Sequence, residues 1–146
     1  MDHDLSAAEA AETLSMRHNA RASVAAASAH YAIWSVGMAT ASSLYVFALG
    51  LLPADRVQPI VATTVAFVAW VALPTVWLIP TVKVSPLGFS KQFGLATGAW
   101  GAVFGIAVAF GLAFELGPWF LWPMAAAVAV PLLVGAHLQL RDADRG

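Results

Sequence analysis

The sequence predicts an all-α integral membrane protein: four transmembrane helices in an antiparallel bundle, led by an N-terminal cytoplasmic helix. Three observations carry this reading. Of the 146 residues, 60% are hydrophobic and 10% charged, whereas soluble domains carry about 45–50% apolar and about 25% charged residues. Four apolar stretches each reach the roughly 20 residues that a helix needs to cross a bilayer. The charged side chains gather between and outside those stretches. Seven basic and eight acidic side chains are too few to cover a soluble fold of this size. The composition also excludes disorder, and a net charge of -1 offers no basic face to nucleic acid.

Residues 1–29 form the first unit. The chain opens Met1-Asp2-His3-Asp4 and its long apolar run begins only near residue 30, which is not the pattern of a secretory signal. Ser6-Ala7-Ala8-Glu9 matches a capping box, in which the serine oxygen takes an open N–H and the glutamate reaches back. Glu9 and Glu12 lead the Ala-rich run to Ala29, and Arg17, His18 and Arg21 follow, as the helix dipole favours. Large apolar side chains are few, so this unit reads as an extension of the first span or a docking arm rather than a membrane-surface helix.

Residues 30–140 hold the transmembrane domain, with spans at about 31–51, 59–79, 94–116 and 119–140, and 141–146 form a cytoplasmic tail. The spans contain no Lys, Arg or Asp, and their single acid, Glu115, stands at the edge of the third. Short turns at 53–58 and at Gly117-Pro118 make their neighbouring spans antiparallel and adjacent. The connection 80–93 is longer and leaves the second and third spans freer. Arg17, Arg21, Lys83, Lys91, Arg141 and Arg145 fall on one side and Arg56 alone on the other. By the positive-inside rule both termini are expected in the cytoplasm, with the protein in the plasma membrane.

Trp34 and Trp77 near one interface and Trp119 and Trp122 near the other read as aromatic belts. Trp70 and Trp100 lie deeper, and their N–H groups call for a partner such as a backbone carbonyl or Thr97. Pro74 and Pro131 sit inside the second and fourth spans, where each removes an intrahelical bond and favours a kink.

Helices in lipid associate through close approach, which small residues permit. The third span carries Gly94, Gly98, Gly101 and Gly105, spaced four, three and four apart and so on one face. The first span carries Ser28, Ala32, Ser35, Ala39 and Ser42 in the same rhythm. The spacing predicts that these two seams, with Ser35 and Ala39 central to the first, pack on each other or across a dimer interface.

Signs of chemistry are sparse. Ionisable residues inside a membrane usually mark function, and the spans hold almost none. There is no cysteine, no metal-ligand spacing among the histidines and acids, and no HExxH, Walker or dinucleotide motif. His30 enters the first span and His137 leaves the fourth, both near the cytoplasmic face. Two imidazoles so placed could hold a haem iron or sit beside a quinone head group. The leading reading is a non-catalytic membrane protein, an accessory or structural subunit acting through helix–helix association. Its partners would be lipids and a homo-oligomer or larger membrane complex. The alternatives are a small oligomeric transporter or channel, and a haem- or quinone-associated electron-transfer subunit built on His30 and His137.

Overall fold

The computed structural model describes residues 7–53, 57–81, 89–114 and 116–145. Four helices make up nearly all of it: α1 (Ala7–Leu49), α2 (Val57–Thr81), α3 (Phe89–Ala113) and α4 (Pro118–Arg145). Each contains a stretch long and apolar enough to cross a membrane, and the chain is a multi-pass helical membrane protein. Ser6 of the capping box, Arg56, Lys83 and Glu115 lie outside the described residues, as does the side chain of Trp77.

The arm and the first span are one uninterrupted helix of 43 residues. At 1.5 Å per residue it is about 64 Å long, roughly twice the hydrocarbon thickness of a bilayer. Burial marks where the bundle begins. Residues 11–23 are exposed throughout, and from Ser28 the buried positions repeat as Ser28, Tyr31-Ala32, Ser35, Met38-Ala39, Ser42, Tyr45-Val46 and Leu49. That seven-residue rhythm keeps one narrow stripe facing a neighbour, as in helices packed side by side.

The neighbour is α4, which shares by far the longest face with α1. Its own buried positions, Leu121, Ala125, Val128, Leu132, Ala136 and Gln139, follow the same rhythm. The two helices run antiparallel, with Ser43 bonded to the Ala125 carbonyl at one level and Tyr31 beside Gly135 at another. α3 returns through the tight turn at Gly117 to pack along the other side of α4. The backbone of α2 lies along that of α1, and among the described residues it approaches neither α3 nor α4. The bundle therefore runs α2–α1–α4–α3, with α1 and α3 meeting over a short stretch.

This order corrects one expectation. The small-residue seams of the first and third spans do not lie on each other; the α1 seam is occupied by α4. The reason is the side chain that must fill each gap. Leu132 of α4, itself fully buried, packs against Met38 and Ala39, and the α3 glycines face away from the other described helices.

Helices continue through Pro74 and through Pro123 and Pro131. Near Pro74 the hydroxyl of Thr75 donates to the Val71 carbonyl at 2.7 Å. This is the ordinary back-bond of a helical threonine to the carbonyl four residues earlier. The same back-bonding hides the hydroxyls of Thr40, Ser42, Thr63 and Thr64 within their own helices.

Candidate functional site

The side-chain hydrogen bonds between helices converge on α1. It exchanges a side-chain hydrogen bond with every other helix. Trp34 Nε1 donates to Thr75 Oγ1 of α2 at 3.2 Å, and the Tyr45 hydroxyl meets Thr64 Oγ1 of α2 at 3.0 Å. Trp100 Nε1 of α3 donates to Ser42 Oγ at 3.1 Å, and Ser43 Oγ donates to the carbonyl of Ala125 in α4 at 2.6 Å. α3 and α4 are tied separately, by Gln139 Nε2 donating to Gln92 Oε1 at 2.7 Å. The deep indole of Trp100 thus finds its acceptor on α1 rather than on Thr97 of its own helix. Trp70, by contrast, is exposed on the outer side of α2.

Aromatic rings fill the middle of the bundle. Tyr45 stacks on Phe67 with centroids 4.6 Å apart, Phe67 on Phe104 at 5.3 Å, and Phe104 on Trp100 at 5.5 Å. These rings bridge α2 and α3 where their backbones stay apart. A second group, Tyr31, Trp34 and Phe93, packs nearer the start of the transmembrane part of α1. α2 therefore depends on a few side chains. Trp34→Phe and Thr75→Val should each loosen it by about 0.6 kcal/mol, the average worth of such a bond between membrane helices. The double variant should cost no more than either alone. Faster amide exchange confined to α2 is the readout, and independent effects that add would dismiss the bond.

The glycines divide into two kinds. Gly111 and Gly135 sit where helices touch: a Cβ at Gly111 would fall 2.5 Å from the Leu121 side chain, and one at Gly135 only 2.7 Å from the Ala96 Cβ. Neither belongs to a periodic series, so spacing gives no sign of them. Gly94, Gly98, Gly101 and Gly105 are the opposite, for a Cβ at each would meet nothing within 4 Å among the described residues. They run down the outside of α3 with Leu95, Ala102, Ala109 and Leu112, every one exposed. The other face of α3 presents Ala96, Trp100, Phe104 and Ala107 to the bundle. Ser35 and Ala39, on α1, are fully buried against the interior.

Gln139 and the Ser28, Ser35 and Ser42 side chains are the buried polar groups of the described core. Three of these four stand on the α1 seam, where a small side chain matters more than a polar one. His30 and His137 come to one level, because Tyr31 packs beside Gly135 on the neighbouring antiparallel helix. Their environments differ: His30 Nδ1 contacts the Ala26 carbonyl of its own helix at 2.7 Å, whereas His137 is exposed. Among the described residues no cluster of three or more His, Asp or Glu could hold a metal ion.

No protein-family model matches the chain, and no curated protein or solved structure is similar to it.

Proposed function

We propose that this protein is a non-catalytic membrane subunit that works by associating with a further transmembrane helix through the outer face of α3. The observation that carries this reading is the open glycine series. A glycine inside a helix lowers its stability by about 1 kcal/mol relative to alanine, and four of them on one face are offset by nothing among the described residues. Packing between membrane helices recovers that loss when a second backbone comes close enough to use the missing Cβ atoms. The inner glycines Gly111 and Gly135 serve such contacts within the chain, which supports the same use for the outer ones. The partner is a second copy or a subunit of a larger membrane assembly. The distribution of Lys and Arg supports a plasma-membrane topology with both termini in the cytoplasm. The α1 extension would then stand in the cytoplasm as a second place for a partner to hold.

The test is the double variant Gly98→Leu, Gly101→Leu, compared with the unaltered protein by native mass spectrometry and light scattering in mild detergent. The complex should fall to the mass of a single chain while helicity and melting temperature hold, because both positions face open space. An unchanged complex mass would dismiss the α3 face as the contact.

A further inference from the structure

We propose that α2 is a lateral gate: it tilts out into the bilayer about its contact with Tyr45 when the bond between Trp34 and Thr75 opens. The structure shows the closed position. No described residue of α2 from Val57 to Val76 is buried, whereas α1 and α4 bury 50% and 33% of their most apolar stretches. Segments with few buried apolar contacts are the ones that open first. In lipid no hydrophobic force presses such a helix back, so its position rests on the side chains that cross the gap.

Those side chains fall into two groups. Around Tyr45 the contact is firm: its ring stacks on Phe67, Phe67 stacks on Phe104 of α3, and its hydroxyl meets Thr64. Towards the other end α2 is held by the Trp34–Thr75 bond and by Val71, half-buried against the Met38–Leu132 cluster. There a recess of about 290 Å³, lined by Val71, Thr75 and Trp100, already separates α2 from α3.

The chain itself decides which end moves. Bonds from Gly50, Leu51 and Leu52 to the carbonyls of Val46, Phe47 and Ala48 continue the last turn of α1. That leaves residues 53–56 before α2 begins at Val57, so this end of α2 is tethered to α1 beside Tyr45. The far end leads through residues 82–88 to α3, whose described backbone stands apart. The bond that opens there is inexpensive to lose. Thr75 gives its hydroxyl hydrogen to the Val71 carbonyl, so Trp34 is the donor across the gap and α2 leaves with its own hydroxyl satisfied. Trp34 stands one turn inside His30, near the end of the span, where a released indole N–H finds water or a lipid carbonyl. A tilt of about 20°, the average for membrane helices, carries Val76, about 18 Å along the axis from Thr64, by about 6 Å. The recess beside Trp100 then becomes an opening into the bilayer, while α1, α3 and α4 keep their mutual bonds.

The experiment uses the full chain in lipid nanodiscs, with pairs of spin labels on engineered cysteines and their separations read by double electron–electron resonance. The sequence has no cysteine of its own, and the label sites Ile33, Val61, Val76, Val130 and Val134 are all exposed. The pair Val76–Val134 sets the free end of α2 against α4 and should show a second distance about 6 Å longer than the first. Thr75→Val, and Trp34→Phe from the other side of the same bond, should each raise the ratio of long to short about threefold, the worth of one such bond between membrane helices. The pair Val61–Val130, at the tethered end, should keep one distance throughout. So should Ile33–Val134 between α1 and α4, which identifies the variants that have folded. A single Val76–Val134 distance that neither variant changes would overturn the inference. Equal lengthening at Val61–Val130 would overturn it as well, because α2 would then be leaving as a whole. These substitutions lie away from the α3 glycine face, so the mass of the complex should not change in them.

Discussion

Replacing Gly135 with alanine should force α3 away from α4 and lower stability by about 1–3 kcal/mol, the usual cost of overpacking a tight contact. The added Cβ would come within 2.7 Å of the Ala96 Cβ. Both atoms are fixed to helix backbone, so no rotamer change relieves the clash and the helices themselves must part. The Gln139–Gln92 hydrogen bond, one turn further along α4, spans the same pair of helices and would lengthen with them. Gly111→Ala makes a useful contrast. There the nearest atom is the end of the Leu121 side chain, which can rotate, so the effect should be smaller. The decisive measurement is a double-mutant cycle by thermal unfolding in detergent. Ala96→Gly should restore most of what Gly135→Ala removes, because the two sites share one contact. Additive losses would mean that the helices do not meet there.

Ala39→Leu should be comparably severe, and it separates the two small-residue seams. Ala39 is 2% exposed and packs with Met38 against the fully buried Leu132. A leucine at this point has no space and would push α1 off α4, the most extensive contact in the molecule. Ser35→Leu, one turn earlier on the same stripe and equally buried, should act alike. Gly98→Leu introduces the same side chain at an equally small position, yet should leave the fold of the single chain intact. Since the protein has no cysteine, engineered cysteine pairs between α1 and α4 report the separation directly. Ala39→Leu should suppress such a cross-link that Gly98→Leu preserves. Equal melting temperatures for the two variants would contradict the assignment of the α1 seam to the interior.

Much of this architecture was legible in the residues. The apolar runs locate the second, third and fourth helices to within about five residues at each end and the first at its C-terminal end only, and the Gly117-Pro118 turn already requires α3 and α4 to be neighbours. The stripe Ser28–Ala32–Ser35–Ala39–Ser42 announces a close helix contact. Its partner is another matter. Matching one small-residue stripe with another is natural when only spacing is visible, but close packing interleaves small positions with large ones. Leu132 supplies the large one, and nothing in its local sequence distinguishes it from Leu133, which is exposed. Gly111 and Gly135 give no sign in the sequence for a related reason. A single glycine carries no periodic signal, and its importance comes from what another helix places opposite it.

Composition and spacing by themselves determined the solvent, the number of spans and the face of α1 that must be narrow, because each is a property of one segment in its surroundings. Tertiary structure alone decided that α4 takes the α1 seam, that α2 stands apart on a few aromatic and hydroxyl contacts, and that the α3 glycines are left open. Those outcomes depend on how the shapes of two surfaces fit across space. In lipid, where no hydrophobic force favours one apolar pairing over another, that fit is what selects the partner.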